Sequence, residues 1–298
     1  MKQLPRIASK LFCEPWSILP GAHAQMVRQF RAYLERGGTP DDSPDCCEPE
    51  LPEGPGCEAP MGPAYRREDG SIKALHSQVK RIGSLAILPI SGVIGKHLSA
   101  LEMMCGGCDS AVIAKQARAI AADARITSVI VHIDSPGGIC VGAPECARAI
   151  LSMSEAGKDV IAYTDTQAAS NGYFMAAACG TILAAPSSVV GSISTYCAFE
   201  DESAAYAMEG VEIQMFRTGE VKGAGTEGKP WTQAEKDAMQ LTTDQFGAQF
   251  KDFIRLRRGL SDDLMQGQFW PAQFAPSGLV DGFVDDLEEL IAMVGTAV

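Results

Sequence analysis

Ser170 lies in Thr164-Asp165-Thr166-Gln167-Ala168-Ala169-Ser170-Asn171-Gly172-Tyr173. Here an apolar strand candidate, Val160 to Tyr163, runs through a turn of small residues into a helix candidate, Tyr173 to Cys179. A serine at such a junction has its hydroxyl raised on a turn, beside helix N–H groups that lack an intrahelical acceptor. An exposed attacker next to donors for an oxyanion is what nucleophilic catalysis requires. The same spacing also describes a serine N-cap on a buried helix, and the motif alone does not separate the two readings. A second turn, Ile133-Asp134-Ser135-Pro136-Gly137-Gly138, ends a neighbouring strand candidate. In parallel α/β units such turns lie side by side at the carboxyl edge of the sheet. Paired glycines let a backbone N–H face a site without a side chain in the way. Gly137 or Gly138 is therefore a candidate for one oxyanion donor and the Asn171 N–H for the other. A simple Pro-Gly turn is the alternative if either motif stood alone.

A nucleophilic serine needs a base. All four histidines, His23, His76, His97 and His132, precede Ser170, and His132, inside a buried strand candidate, is expected in the core. This order excludes a Ser-His-Asp arrangement with a downstream histidine. Lysine acts as a base when burial disfavours its charged form. Among Lys222, Lys229, Lys236 and Lys251, the last two fall on an amphipathic helix and are expected in solvent. Lys222, in Thr218-Gly219-Glu220-Val221-Lys222-Gly223-Ala224-Gly225 directly after strand candidate Ile213 to Phe216, is the natural choice.

The elements that must position these residues alternate between strands and helices. Leu85 to Ile90 with Gly92 to Ile94 reads as one buried, bent strand, and Ser128 to Ile133 as another. Helices are expected over Ser110–Ala122, capped by Ser110, and over Ala143–Ser154, with Pro144 suited to its first turn. Thr181 to Ala184, Val189 to Ile193 and Ile213 to Phe216 are further short strands. Thr232-Gln233-Ala234-Glu235 is a capping box that opens a long helix to Arg258, ended by Gly259. Its basic end, Arg255, Arg257 and Arg258, complements the helix dipole. This alternation indicates an α/β domain with a largely parallel sheet.

Upstream, residues 1–36 carry a helix candidate, Ala22 to Arg36, with an apolar face. From Gly37 to Pro63 there are seven prolines, five glycines, seven acidic residues and no Lys or Arg. Such a segment cannot bury enough to offset its ordering entropy, so 37–66 is expected as a linker and 67–298 as the folded domain. The net charge of −12 and pI near 4.8 argue against a nucleic-acid or anionic-membrane partner. No apolar run has bilayer-spanning length, and the N-terminus lacks a signal peptide's apolar stretch, so a cytoplasmic location is expected. The ten cysteines are scattered; Cys140, Cys146, Cys179 and Cys197 lie in apolar segments and are expected as buried thiols. Cys105-Gly106-Gly107-Cys108 is a single C-x-x-C without a second pair, and neither a metal nor a cofactor is expected.

In this order, Asp-Ser-Pro-Gly-Gly, Ala-Ala-Ser-x-Gly-Tyr, Gly-Ser-Ile and Thr-Gly-x-x-Lys resemble the signal peptide peptidase A family, especially its phage head-maturation proteases. The resemblance spans roughly Ser84 to Ala292. It implies a crotonase/Clp-protease-like fold of ββα units and a Ser–Lys dyad. Ser170 matches the nucleophile, Lys222 the general base, and Ser192 the serine that orients the lysine; Gly138 and Asn171 fall where the oxyanion donors would be. It further implies a polypeptide substrate (scaffold, capsid or portal protein), a homo-oligomeric ring, and action in the host cytoplasm or within a prohead. Ser194 departs from the family's usual Gly-Ser-Ile-Gly, and the membrane anchor of some members is not expected here. A soluble peptide-degrading relative, a crotonase-type acyl-CoA hydratase or isomerase, and a non-catalytic assembly platform are the alternatives.

Overall fold

The computed structural model describes residues 16–18, 27–28, 64–66, 72–74, 78–99, 102–103 and 106–295. Of the N-terminal helix candidate only Val27 and Arg28 are among them, and both are helical; the linker candidate up to Pro63 lies outside. The strands are β1 (Trp16–Ile18), β2 (Ala64–Arg66), β3 (Ile72–Ala74), β4 (Lys80–Ile82), β5 (Leu85–Ser91), β6 (Val93–Gly95), β7 (Gly107–Asp109), β8 (Ser128–Asp134), β9 (Gly137–Ile139), β10 (Asp159–Thr164), β11 (Gln167–Ala169), β12 (Thr181–Ala184), β13 (Val189–Gly191), β14 (Phe269–Pro271) and β15 (Gly282–Phe283). The helices are α1 (Ser110–Ala122), α2 (Ala143–Glu155), α3 (Asn171–Ala177), α4 (Ser203–Met208), α5 (Gln233–Arg258) and α6 (Leu287–Gly295).

The central sheet has the order β15-β12-β10-β8-β5-β4, parallel throughout except for β4 at its edge. Each longer strand of this sheet is followed, after a sharp bend, by a three-residue strand in a second layer: β5 by β6, β8 by β9, β10 by β11, β12 by β13. The second layer consists of β1-β9-β6-β7 and β11-β13-β14. A single parallel bridge, Ser135 to Ala168, lies between β9's approach and β11. This is the expected α/β architecture of ββα units with a largely parallel sheet.

The second layer also corrects three expectations. Leu85 to Ile94 is not one bent strand, because the bend at Gly92 (φ 101°) sends its halves into different sheets. Gly137 and Gly138 do not form a plain turn; they are the first two residues of β9. Ile213 to Phe216 is not a strand: no described strand lies alongside to pair with it, and Phe216 is 95% exposed.

Period-two alternation puts Val129, Val131 and Ile133 of β8 on the face covered by α1, α2 and α3. Ile130 faces the other way, into a smaller cluster with Tyr163, Val284 and Leu290 of α6. The N-cap of α1 is Asp109, one residue earlier than expected, because its carboxylate accepts the Ala111 N–H at 2.8 Å. Pro144 opens α2, and α5 has the expected Thr232–Glu235 capping box and a left-handed Gly259 at its end.

Candidate active site

Ser170 ends β11 and opens α3 with φ 54° and ψ −118°. A left-handed backbone costs a non-glycine residue about 1–3 kcal/mol, so neighbours must hold it there. The Ser170 N–H donates to the Gly191 carbonyl at 2.7 Å, and its own carbonyl accepts the Phe174 N–H at 2.8 Å. The hydroxyl does not cap α3, so the N-cap reading of this serine does not describe its role. Nor is Ser170 an exposed attacker in this chain; it is 1% exposed, because the second-layer strands close around it.

The two glycine-bearing motifs meet as expected. The Ser135 N–H donates to the Gln167 carbonyl (2.9 Å), and the Ala169 N–H to the Ser135 carbonyl (3.0 Å). The buried Asn171 side chain donates through Nδ2 to the Ile139 carbonyl at 2.7 Å, tying the first turn of α3 to β9. Gly137 donates its N–H to Ser135 Oγ (3.2 Å), which in turn donates to the Gly92 carbonyl (2.7 Å). Gly138 lies so close to β6 that a Cβ would coincide with the Ile94 backbone. These contacts bring the N-terminus of α3 and the glycine strand to one place.

Ser192 joins them through sheet geometry. β11 and β13 run parallel with Ala169 opposite Gly191, so Ser170 and Ser192 are the next residues along adjacent strands. Both turn left-handed, at φ 54° and 55°, and both are buried. The Ser192 N–H donates to the Gln268 carbonyl at 2.6 Å. Gly191 has φ 107°, and a side chain there would stand 2.9 Å from that same carbonyl, which explains a glycine before the serine.

Lys222 lies elsewhere, exposed in the turns between residues 218 and 228. Its N–H donates to the Gly219 carbonyl, and its own carbonyl accepts from Arg217 Nη1. Its ammonium group makes no hydrogen bond or ion pair among the described residues, so one chain by itself does not join it to Ser170.

What holds the lysine-bearing loop is Glu235, whose burial is not visible in the capping-box pattern. Its carboxylate is fully buried and accepts from Lys229 Nζ (2.6 Å), the Thr232 N–H (3.0 Å) and Arg217. Arg217 and Lys229 flank Lys222 on either side, so one carboxylate fastens both feet of the loop to α5. Burial pushes the Glu235 carboxyl up, but the bonds from Lys229, Thr232 and Arg217 pull harder and hold it at about 2. A depressed carboxyl stabilises the fold above its ordinary value of 4.5, and that stabilisation disappears as pH falls from there through about 2. Glu235→Gln should cost about 3 kcal/mol at pH 7, the low end for breaking a buried pair because Arg217 keeps one-fifth of its side chain exposed. Urea unfolding at pH 7 and pH 3 checks this: the gap between variant and parent should narrow at the lower pH. Equal stability at pH 7 would contradict it.

His132 is half-buried rather than a core residue. It shares the Ile130 face of β8, away from α3; its Nε2 lies 3.2 Å from Asp165 Oδ1 and its ring stacks on Tyr163. Cys108, Cys140 and Cys179 are buried thiols, pushed up to about 12 by desolvation. Cys146 is buried as expected, Cys197 is only partly so, and Cys105 lies outside the described residues. The basic end of α5 does more than complement a dipole. Arg257 donates to the Ala177 and Cys179 carbonyls at the end of α3, while Arg258 binds Asp281 and the Gly278 carbonyl. Phe174 of α3 packs edge-on against Phe250 of α5 (4.9 Å) and close to Phe253 (4.5 Å). Beside Asn171, a depression is lined by Phe174, Phe246, Phe250, Cys140 and Thr195.

A serine in a strained strand-to-helix turn, seated against a glycine strand, belongs to the segment that a family comparison identifies. Residues 152–293 match peptidase family S49. The segment contains Ser170, Asn171, Ser192 and Lys222, and the family resemblance carried by the ordered motifs is thereby met. The chain is 28% identical to the head-tail preconnector protein GP5 of Enterobacteria phage P21 over 221 residues, 72% of this chain and 44% of that protein. It is 26% identical to the capsid assembly protease C of Escherichia phage lambda over 233 residues, 76% of this chain and 52% of that protein. The chain thus spans about half the length of these curated relatives. Among solved structures, an enoyl-CoA hydratase/isomerase family member is similar over 74% of each chain, at 15% identity and a TM-score of 0.44. No helix among the described residues is long and apolar enough to cross a membrane.

Proposed function

We propose that this chain is a serine endopeptidase with a Ser–Lys dyad that cleaves scaffold, capsid or portal proteins during phage head maturation. The observation that carries the reading is Ser170, held left-handed at the start of α3 between the glycine strand β9 and Ser192. In the proposed mechanism neutral Lys222 takes the Ser170 proton as Oγ attacks a peptide carbonyl. The N–H groups of Asn171 and Gly138 hold the oxyanion, the Gly137 N–H being bonded to Ser135 Oγ instead, and Ser192 orients the lysine. Lysine returns the proton to the leaving amine, and water releases the acyl group.

A lysine accepts that proton only when uncharged, and burial is what favours the uncharged form. Lys222 is exposed in one chain, so the burial has to come from a neighbouring subunit of a homo-oligomeric ring or from the bound polypeptide. The names of the two phage relatives support a head protein as substrate, in the host cytoplasm or inside a prohead. In this reading 1–36 is an N-terminal segment that also supplies β1, and the linker expected over 37–66 ends before Ala64, because β2 pairs with β3 of the peptidase domain.

Co-expression with a phage scaffold or capsid protein, followed by intact-mass analysis, tests the proposal. Lys222→Ala should leave the partner uncut while far-ultraviolet circular dichroism matches the parent. General base removal typically costs about 10²–10⁴-fold. Cleavage at the parental rate would remove the dyad. A partner left intact even by the parent chain would favour the assembly-platform reading.

A further inference from the structure

β9 has two sides. On one it pairs with β6, with Ile94 in register with Gly138. On the other it pairs antiparallel with β1: Trp16 opposite Ile139, Ser17 opposite Gly138, Ile18 opposite Gly137. Without β1, the strand that carries the glycines and is tied to Asn171 would present an open edge. An open edge offers main-chain donors and acceptors to any extended chain, whatever its side chains. In this molecule the edge is filled by three residues from far upstream in sequence. Ile18 anchors them; it is 2% exposed.

We propose that Trp16–Ile18 is a built-in occupant of the β9 edge, holding the place that an extended polypeptide takes there and keeping it closed until displaced. The inference rests on the peptidase reading of Ser170, because a peptide laid along β9 lies beside that serine's turn. An incoming segment takes the direction of β1, antiparallel to β9, and places one of its residues opposite Gly138, where Ser17 now sits. The occupant is held by three residue pairs and the buried Ile18 side chain, a hold short enough for a longer peptide to exchange with it. The upstream segment thereby competes with substrate for the same backbone groups.

The test uses the full chain carrying Ser170→Ala, so that nothing is cut. Hydrogen exchange is followed by mass spectrometry on fragments containing residues 137–141, with and without Ile18→Asp. Exchange there should rise at least tenfold in the variant, while fragments of β8 keep their protection. A synthetic peptide spanning residues 11–24 of this chain, added in excess, should restore the protection. If Ile18→Asp disturbs β8 as well, Ser17→Pro, which removes a backbone donor without adding charge, takes its place. Unchanged exchange at 137–141 in a variant with intact β8, or failure of the peptide to restore protection, would overturn the proposal. With Ser170 present, Ile18→Asp should hydrolyse unfolded, fluorescein-labelled casein several-fold faster than the parent. Peptide-restored protection combined with no casein hydrolysis by any chain would instead overturn the peptidase reading and leave the docking strand standing.

Discussion

Replacing Ser170 by alanine is expected to abolish peptide hydrolysis, a loss on the order of 10⁴–10⁶-fold, because the oxygen that attacks in the proposed mechanism is gone. The effect should be separable from folding, since Ala retains the left-handed strain and the two backbone hydrogen bonds to Gly191 and Phe174. Ser170→Gly sharpens the separation. Glycine accepts φ 54° without the penalty paid by serine, so this variant should be inactive yet more stable by about 1 kcal/mol. Hydrolysis of a labelled protein substrate, paired with thermal unfolding of both variants, measures the two effects independently. An active Ser170→Ala chain would end the nucleophile assignment. A Ser170→Gly chain that melts below the parent would show that the strain is not stored at this residue.

The second large effect is expected at Gly138. A methyl group there meets the carbonyl oxygen, carbonyl carbon and nitrogen of Ile94, all backbone atoms that have no rotamer to give. Gly138→Ala must therefore push β9 away from β6, with an overpacking cost of about 3 kcal/mol or more. The same shift carries β9 away from Asn171, whose side chain is bonded to the Ile139 carbonyl. A displacement of about 1 Å at a reacting group costs roughly 100-fold in rate. A melting temperature lower by several degrees and hydrolysis reduced by about two orders of magnitude are the expected pair of results. Parental values for both would mean that β6 yields to the methyl group.

Local patterns account for what was legible beforehand. The strands β8 and β10, the helices α1, α2 and α5, and the Ser170 and Gly137–Gly138 motifs all rest on contiguous residues whose periodicity or turn chemistry is self-contained. Of the second-layer strands, β13 lies within the expected Val189 to Ile193 and β6 overlaps the second half of the expected bent strand, but β9 and β11 were not legible, because three residues are too few to display alternation. Hence Gly137–Ile139 reads as a turn, although it is a strand with a partner on each side. Glu235 shows only its capping-box role, since the cations that make its burial tolerable arrive from a loop up to 18 residues upstream. Ile213 to Phe216 has strand composition, but a strand also needs a neighbour, and none is described beside it. The pairing of Trp16–Ile18 with β9 joins segments between which no sequence pattern runs.

The parallel pairing of β11 with β13 makes the sheet a ruler for chemistry. Ser170 and Ser192 each stand one step past Ala169 and Gly191, so their separation is the interstrand spacing and no loop contributes to it. A residue inserted into Gln167–Ala169 would turn every later side chain to the opposite face and move one serine past the other. A residue inserted among the exposed turns around Lys222 would be taken up between the two feet that Glu235 fastens. Length changes in such a chain are therefore expected to be tolerated in the turns around Lys222, where the fold leaves slack, and not in Gln167–Ala169, where it leaves none.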